Sequence, residues 1–586
     1  MPDKANPNYL LRVLPYIKPY KLLFTMGLLI TMLTAVVNPI RPYLLKLTID
    51  EHIIKNLNVG IVEQILLVVV GILLVESILK FFQNYLTSAL GQSVVFDLRK
   101  DLFKHIQKQR MQYFDTTPVG TLQTRVVGDI ENIASIFSEG LIVIIGDIIQ
   151  LTAIIGVMFY MNWILACIAL STVPILFVAT VLFKNGIKKT FDAVRNQVAK
   201  LNTFVQEHLT GMKIVQVFNR EEKELEVFKK INADYKKANI NAIWYYSLFF
   251  PVVEILASVS VGLLIWVGGR YAINMDANQV TPGLITAFIM YINMLFKPMR
   301  ELADRFNTLQ MGVVCSERVF KILDTNTSIP EPVSDIPLPT EIKGELTFQD
   351  VWLAYREDEW VLKGISINIK KGETIALVGA TGSGKTSIVN LLNRFYDFQK
   401  GSILLDGISI KEYPAETLRK HIAVVLQDVF LFSDTITNNI TLNDESYTHA
   451  QIVEAAKAIG AHEFIMALPG GYDFNVMERG GLLSAGQRQL LSFMRAFIYN
   501  PEILVLDEAT ANIDTESEVL IQKATDAITA NRTSIIIAHR LATIQKASRI
   551  VVLDKGKIVE IGTHEELLQL PKGYYTKLYN YQFQVV

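Results

Sequence analysis

Long apolar stretches alternate with charged connections over the first half of the chain, whereas the second half mixes apolar and charged residues as a globular domain does. A transmembrane helix needs roughly 20 mainly apolar residues, and six stretches reach or approach that length. The pattern therefore predicts membrane spans at Leu22–Ile40, Ile65–Phe82, Leu141–Tyr160, Ile164–Phe183, Leu248–Val267 and Leu284–Phe296.

The connections between these stretches differ in length and charge. The two long ones, after the second and the fourth stretch, hold most of the lysine and arginine residues, and the other three hold only Arg41, Lys46, Lys55 and Arg270. Lysine and arginine concentrate on the cytoplasmic side of membrane proteins. We therefore expect a multi-pass protein of the cell membrane with both termini, and the whole second half, in the cytoplasm.

Helical spacing of apolar residues continues from the spans into the long connections, as at Leu98, Leu102 and Ile106. This spacing predicts that spans two to five extend as helices well into the cytoplasm. The turns at the far ends, around Gly120 and Gly211, are then either solvated turns or docking elements for another domain. The residues alone leave both alternatives open.

Three carboxylates fall inside the predicted spans. Ionisable residues are costly in a bilayer and usually face a cavity or a charged partner. Glu76, Asp147 and Glu254 are therefore candidates for lining a substrate path. Arg41 lies near the end of a span, where we expect its side chain to extend to the membrane surface.

The composition of the chain bears on its class and on the partners and sites to be expected. Hydrophobic residues make up 51% of the chain, in line with an apolar first half. The formal net charge of −1 gives no electrostatic reason to expect a nucleic-acid partner. The two cysteines, Cys167 and Cys315, offer neither a disulfide framework nor metal-ligand spacing.

A segment rich in proline, serine and threonine separates the two halves. We therefore expect a transmembrane domain (1–320), a linker (321–343) and a second domain (344–586). In that domain GATGSGKT (379–386) lies between a strand-like and a helix-like run. Its glycines would let backbone N–H groups wrap phosphates, Lys385 would neutralise phosphate charge, and the Thr386 hydroxyl would ligate Mg²⁺.

An apolar strand-like run, EILVLDEAT, ends in two acids further along the chain. Asp507 can hold Mg²⁺ through water, and Glu508 can orient or deprotonate the attacking water. Two solvated carboxylates at a strand end are the alternative interpretation. The upstream phosphate loop favours the catalytic one.

A second turn with phosphate-binding character lies between these motifs, in LLSAGQRQLL (482–491). Small and polar residues stand there directly before a helix-like run, and free N–H groups at a helix start bind anions. The loop at 379–386 already forms a complete phosphate cradle. The later turn must therefore serve another phosphate, if it serves one at all.

These motifs, with VVLQDVFLF before them and IIIAHR after them, follow in an order that resembles the nucleotide-binding domain of ATP-binding-cassette (ABC) transporters. The pattern LSxGQ is the signature of that family. Six spans followed by one such domain resemble an exporter-type (type IV) half-transporter over the whole chain. The implied fold is a membrane all-α six-helix transmembrane domain followed by an α/β P-loop NTPase domain with an α-helical subdomain.

The resemblance implies a role for each matching residue. Glu508, His539 and Gln427 would be catalytic, and Mg²⁺ would be held by Thr386, Gln427 and Asp507. ATP would be bound by Tyr355, which stacks on adenine, and by Gly379, Thr381, Gly382, Ser383, Gly384, Lys385, Thr386 and Ser387.

Other implied roles concern a partner and the coupling of the domains. Asp514 would lie at a dimer interface, and Gly120, Gly211 and Glu478 would couple the nucleotide domain to the spans. The ATP of the partner would be bound by Leu483, Ser484, Ala485, Gly486 and Gln487.

The implied function is ATP-driven export of amphipathic compounds or lipids by alternating access, in a homodimer within the lipid bilayer. ATP and Mg²⁺ are the implied cofactors, and no nucleic acid is involved. The family commonly has Ser-Ala-Leu-Asp where this chain has ANID (511–514), which resembles one subunit of exporters built from two different chains. A heterodimer therefore stays open, as do an ATP-gated channel or regulator and an importer on the same fold.

Overall fold

The computed structural model describes residues 8–55, 59–274, 280–329, 339, 341–356, 359–507, 515–538 and 540–583. Contacts between Cα atoms divide the chain into two units. The helical unit comprises Met1–Gln107 and Pro118–Asn326, and the sheet unit comprises Lys108–Thr117 and Thr327–Val586. The short segment Lys108–Thr117 thus packs with the sheet unit, although it belongs to the first half of the chain.

Helices form the first half of the chain, and all of them except α5 belong to the helical unit. They are α1 (Asn8–Leu11), α2 (Lys21–Val37), α3 (Ile40–Leu47), α4 (Val59–Gln107), α5 (Met111–Thr116), α6 (Val119–Thr124), α7 (Ile130–Ser135), α8 (Ile142–Met161), α9 (Trp163–Leu170), α10 (Val173–Thr210), α11 (Met212–Val217), α12 (Glu221–Asn274) and α13 (Pro282–Asp324).

Most of the predicted spans lie within long apolar helices. Among the described residues, five helical runs are long and apolar enough to cross a membrane, and each contains one of the first five predicted spans. The sixth predicted span lies within α13. Helical extension beyond the apolar stretch is confirmed for the second and fifth spans, since α4 and α12 have 49 and 54 residues. The cytoplasmic location of these extensions stays a prediction. The five runs are Leu14–Lys55, Val59–Gln107, Val119–Met161, Trp163–Thr210 and Glu221–Tyr271.

The fourth predicted span is not a continuous helix. The chain turns at Ser171 and Thr172, between α9 and α10. Pro174 stands in the first turn of α10. Proline has no N–H group and fits the first turn of a helix but not its interior. The apolar run, which the spacing predicts as a single helix, is therefore interrupted at this point.

One of the predicted intramembrane acids, Glu76, is buried and ion-paired. Its carboxylate accepts a hydrogen bond from Lys80 at 2.7 Å and lies 3.7 Å from Arg41. The expectation that Arg41 extends to the membrane surface stays a prediction. Opposite charges at this distance offset part of the cost of burying the carboxylate.

The other two acids differ from each other. Asp147 forms an ion pair with Arg305, and both side chains are largely buried. Glu254 is exposed in the helical unit. A role in lining a substrate path stays a prediction for Glu76, Asp147 and Glu254 alike.

Strands and shorter helices form the sheet unit. They are β1 (Leu346–Ala354), β2 (Trp360–Ile369), β3 (Thr374–Val378), α14 (Lys385–Leu392), β4 (Lys400–Leu405), β5 (Ile408–Ser409), α15 (Ala415–Lys420), β6 (Ile422–Val425), α16 (Ile436–Thr441), α17 (His449–Ile459), α18 (His462–Met466), α19 (Ala485–Ile498), β7 (Ile503–Asp507), α20 (Thr515–Thr529), β8 (Thr533–Ile537), α21 (Leu541–Lys546), β9 (Arg549–Asp554), β10 (Lys557–Gly562), α22 (His564–Leu568) and α23 (Tyr574–Phe583).

Two sheets organise this unit. The larger has the order β10-β9-β3-β8-β7-β6 and is parallel apart from β10, and the smaller, antiparallel sheet has the order β2-β1-β4-β5. One face of the larger sheet packs on α16, α17, α19 and α20, and the other packs on the smaller sheet and α14. Because both faces are covered, its inner strands are mainly apolar.

The carboxyl ends of the parallel strands meet at one edge of the larger sheet. Leu377 of β3 lies opposite Ile537 of β8, which in turn lies opposite Asp507 of β7. In open α/β sheets, ligands bind in the crevice at this edge. The fold therefore brings together the motifs that follow β3, β6, β7 and β8.

Candidate nucleotide site

The candidate site begins at the carboxyl end of β3, in the loop that leads into α14. Gly384 has a φ angle of +107°, which residues with a side chain rarely adopt. A Cβ atom at Gly379 would overlap the carbonyl oxygen of Leu553. The backbone therefore requires glycine at both positions, and the loop passes directly into the N-terminus of a helix, where anions bind.

Two buried side chains of this loop fit a phosphate group. The Lys385 ammonium donates hydrogen bonds to the carbonyl oxygens of Gly379, at 2.7 Å, and Ala380, at 3.1 Å. Burial lowers the pKa of Lys385, and the Asp507 carboxylate acts in the opposite direction. The Ser383 hydroxyl is buried without a hydrogen-bond partner in the described part of the chain. Phosphate oxygens accept hydrogen bonds from both groups, so the loop fits ATP.

Oxygen-bearing side chains that fit Mg²⁺ lie at the same edge. Asp507 ends β7, Gln427 follows β6, and Thr386 is exposed in the first turn of α14. Mg²⁺ prefers a carboxylate and a few other oxygen ligands together with phosphate oxygens. When bound there, the ion would neutralise phosphate charge. Thr386, Gln427 and Asp507 are the residues that would hold it.

Three of the predicted residues lie outside the described residues, namely Glu508, Asp514 and His539. The residues that precede two of them in the sequence are described. Glu508 directly follows the last residue of β7, and Ala538, which precedes His539, directly follows β8. The catalytic roles of Glu508 and His539 and the interface role of Asp514 stay predictions.

Tyr355, the predicted adenine platform, is held against α14. Its hydroxyl donates a hydrogen bond to Ser387 Oγ at 3.0 Å and accepts one from Asn390 Nδ2 at 3.2 Å. The ring of Tyr396 meets the ring of Tyr355 edge to face, with centroids 4.7 Å apart and planes at 85°. The aromatic ring of Tyr355 therefore lies beside the helix that begins at the phosphate loop, a position that suits a base-stacking residue.

The residues that hold Tyr396 belong to none of the predicted sites. The Tyr396 hydroxyl donates a hydrogen bond to Asp115, and Arg110 pairs with Asp397 at 3.2 Å. Burial raises the pKa of Tyr396, and the bond to Asp115 raises it further, so the phenol keeps its proton. The segment Lys108–Thr117 thus contacts the sheet unit beside Tyr355. No pattern in the sequence connects the two segments.

Replacing Tyr396 tests whether this contact positions the adenine platform. We expect Tyr396→Leu to raise the Kd for ATP by about two- to tenfold, because an edge-to-face aromatic pair contributes roughly 0.5–1.5 kcal/mol. Tyr396→Phe keeps the ring and loses only the bond to Asp115, so its affinity should stay near that of the unmodified protein. Fluorescence titration with a nucleotide analogue measures both. Equal losses in the two variants would contradict the ring contact.

The predicted signature forms the start of α19. Ser484 is its N-cap residue and accepts a hydrogen bond from the Gln487 N–H at 3.2 Å, while the Gln487 side chain accepts one from the Ser484 N–H at 2.9 Å. This reciprocal capping leaves the N–H groups of Ala485 and Gly486 without a partner in the described part of the chain. Leu483 is buried beneath the turn. A helix of 14 residues thus presents an exposed N-terminus suited to an anion.

The predicted coupling residues lie at exposed turns. Gly120 is exposed in α6, Gly211 ends α10, and Glu478 is exposed at the start of a short 3₁₀ helix. Next to Gly211, the side chains of Ile214 and Phe218 are 65% and 70% exposed. Apolar side chains exposed to this extent at a helical tip are typical of a docking element. The coupling role itself stays a prediction.

Two family models match the chain. Residues 24–299 match the ABC transporter transmembrane region, and residues 362–511 match the ABC transporter model. The second match covers the phosphate loop, the signature and Asp507. The first covers the helical unit from α2 into α13.

Curated relatives are similar to the chain over most of its length. The ATP-dependent lipid A-core flippase of Desulfotalea psychrophila is 37% identical over 581 residues, which are 99% of this chain and 100% of the flippase. The putative ABC transporter ATP-binding protein exp8 of Streptococcus pneumoniae is 38% identical over 97% of each chain. The probable multidrug resistance ABC transporter ATP-binding/permease protein YheH of Bacillus subtilis is 39% identical over 87% of this chain and 76% of its own.

Proposed function

Because the chain belongs to the ABC transporter family, as an exporter-type half-transporter with an ATPase coupled to transport, we propose that two copies export amphipathic compounds or lipids by alternating access. The protein is a multi-pass membrane protein, and we assign it to the cell membrane. Binding of two ATP molecules would close the dimer, and hydrolysis would reset it.

The arrangement of the two anion sites supports the dimer. The phosphate loop and the Ser484 turn lie on different elements of the sheet unit, at the start of α14 and of α19. The phosphate loop has both the buried cation and the unpartnered hydroxyl that a phosphate needs. In the described part of the chain, the Ser484 turn offers only the N–H groups of Ala485 and Gly486, which have no hydrogen-bond partner. We therefore propose that it binds the γ-phosphate of an ATP held by the phosphate loop of a second copy.

Exposed apolar side chains support a docking role for the Gly211 turn. On the helical unit, those next to Gly211 include Ile214, Val217 and Phe218. On the sheet unit, exposed apolar side chains include Leu426, Phe430, Phe432 and Leu482. We propose that the Gly211 turn of one copy docks on the sheet unit of the other, near Glu478. Closure of two sheet units would then move the long helices to which the turns belong.

The proposed substrate class draws on the names of the relatives, one a lipid A-core flippase and one a probable multidrug resistance transporter. One name refers to a lipid and the other to drugs, and we propose amphipathic compounds or lipids as the cargo of this chain. Two acids of the helical unit support a path that also accepts polar groups. Glu76 and Asp147 each lie inside a predicted span and are paired with a cation, and ionisable residues in such positions often mark a substrate path.

Reconstituted transport tests the proposed function. In proteoliposomes we expect Mg²⁺ and ATP to drive transport of a fluorescent lipid or an amphipathic dye away from the side that carries the sheet unit, and Glu508→Gln to abolish it. ATP-dependent ion conductance without dye movement would favour a channel or regulator. Movement towards the sheet unit would favour an importer.

Cysteine labelling tests the proposed orientation in the membrane. In a version without Cys167 and Cys315, we expect a cysteine at position 58 to react with an impermeant maleimide from outside intact cells, and one at Gly211 to react only after lysis. The reason is the concentration of lysine and arginine in the two long connections. The opposite labelling pattern would overturn the orientation.

A further inference from the structure

A cavity of about 460 Å³ lies at one end of the helical unit, apart from every residue assigned so far. Three parts of the chain form its walls: the end of α3 with the π-helical segment Thr48–Lys55, the turn between α8 and α9, and the beginning of α13. Charged side chains line one part of it and aromatic side chains another. It belongs to one unit and is formed by described residues.

Both carboxylates in the wall already have partners. Asp50 is buried and accepts hydrogen bonds from the Thr281 hydroxyl and from the Gly283 N–H, the latter at 2.9 Å. A Cβ atom at residue 283 would collide with the Asp50 carboxylate, so this wall depends on glycine there. Glu51 pairs with Lys55 at 3.0 Å. Both carboxylates of the cavity are therefore already bound by groups of the protein itself.

Two of the polar side chains that line the cavity have donor groups to offer. In the part of the chain that the structure describes, the Lys46 ammonium has no hydrogen bond or ion pair, and its one charge-related contact is the Tyr43 ring, 5.9 Å away. The side-chain oxygen of Asn162 caps α9, accepting hydrogen bonds from Ile164 and Leu165, so its NH₂ group remains to donate. A cation and a neutral donor without acceptors suit an anionic group rich in oxygen.

The aromatic side of the cavity suits a position at the membrane surface. Tyr160 and Trp163 lie at the turn between two apolar helices, and their side chains are 84% and 66% exposed. Tyrosine and tryptophan concentrate at headgroup depth, because one end of each ring is apolar and the other is polar. A ligand at this depth can place an anionic headgroup in the cavity and an acyl chain along the aromatic wall.

We propose that this cavity binds the headgroup of a phosphate-bearing anionic lipid, with the phosphate on Lys46 and Asn162. The proposal goes beyond ATP-driven export, since the site needs no nucleotide and lies at the end of the spans. Phosphatidylglycerol serves as the probe. Inorganic phosphate shares its anionic chemistry and lacks the acyl chains, so it distinguishes a lipid site from a site for free phosphate.

Lipid retention in the absence of nucleotide tests the proposal. Full-length protein in neutral detergent is mixed with phosphatidylglycerol or phosphatidylcholine, and retained lipid is counted by native mass spectrometry. We expect preferential retention of phosphatidylglycerol, a loss of about three- to tenfold in Lys46→Gln, and recovery in Lys46→Arg. Lys223→Gln, which removes an exposed lysine at the start of α12, is the matched control and should behave as the unmodified protein.

A variant that should retain more lipid distinguishes the loss of a binding group from a folding defect. Glu51→Gln frees the Lys55 ammonium and should increase phosphatidylglycerol retention. Unchanged retention in Lys46→Gln, or decreased retention in Glu51→Gln, would overturn the assignment. If inorganic phosphate competes as strongly as a short-chain phosphatidylglycerol, the cavity is a site for free phosphate and not for a lipid. A failure of ATP-driven transport leaves this measurement unaffected, so the two proposals are tested separately.

Discussion

Glu508→Gln is expected to keep ATP binding while slowing ATP turnover by about 10²- to 10⁴-fold, the usual contribution of a general base. The residue directly follows Asp507, which ends β7 at the sheet edge that also carries the phosphate loop. The prediction assigns the Glu508 carboxylate to the attacking water and not to the nucleotide. Single-turnover hydrolysis and equilibrium ATP binding, measured on the same sample, separate the two effects.

Lys385→Ala supplies the contrast. Its buried ammonium lies in the phosphate loop, so its removal should weaken ATP binding itself. Asp526→Asn, an exposed change on α20, serves as a control for substitution of a carboxylate in the same unit. A turnover rate in Glu508→Gln equal to that of the control would remove Glu508 from the catalytic role.

A dimer that carries Lys385→Ala in one copy and Ser484→Arg in the other is expected to trap one nucleotide. If the Ser484 turn acts on the ATP of the partner, both changes fall in the same composite site. The second site then keeps an intact phosphate loop and an intact signature. If the turn acts within its own chain, each site carries one change. A bulky arginine at the exposed N-terminus of α19 should block closure on phosphate.

Nucleotide occupancy is the appropriate measurement, because transport can require both sites. Each dimer is trapped with a phosphate mimic, and bound nucleotide is counted per dimer. We expect one trapped nucleotide in the mixed dimer and none in a dimer that carries the same substitution in both copies. This result supports binding of ATP across the interface. No trapped nucleotide in the mixed dimer, with normal trapping in the unmodified protein, contradicts it. Purified chain that stays monomeric would indicate a missing second subunit.

Local patterns in the sequence predicted much of the fold. Apolar runs predicted the long helices, since burial in lipid requires a minimum length, and α4 and α12 continue beyond the spans as their spacing indicates. The strand, the loop and the helix predicted around 379–386 are β3, the phosphate loop and α14. In each case residues close in the sequence determine the local structure.

Contacts between distant segments could not be predicted in this way. Asp115 and Tyr396 are 281 positions apart, and neither belongs to a motif that names a partner. The pairing of Arg41 with Glu76 also depends on how α3 packs beside α4, which periodicity does not report. The predicted roles of Glu508, Asp514 and His539 rest on the resemblance, because these residues lie outside the described residues.

The position of Lys108–Thr117 affects how this protein can be dissected. A fragment cut at the linker would contain every nucleotide motif but would lack the segment that gives Tyr396 its hydrogen-bond acceptor and Asp397 the nearer of its two arginines, Arg110. The Tyr396 hydroxyl would then face water, and the pair that it forms with Tyr355, the predicted adenine platform, would lose its support. Affinities measured on such a truncated ATPase would describe a different surface from the one in the whole transporter.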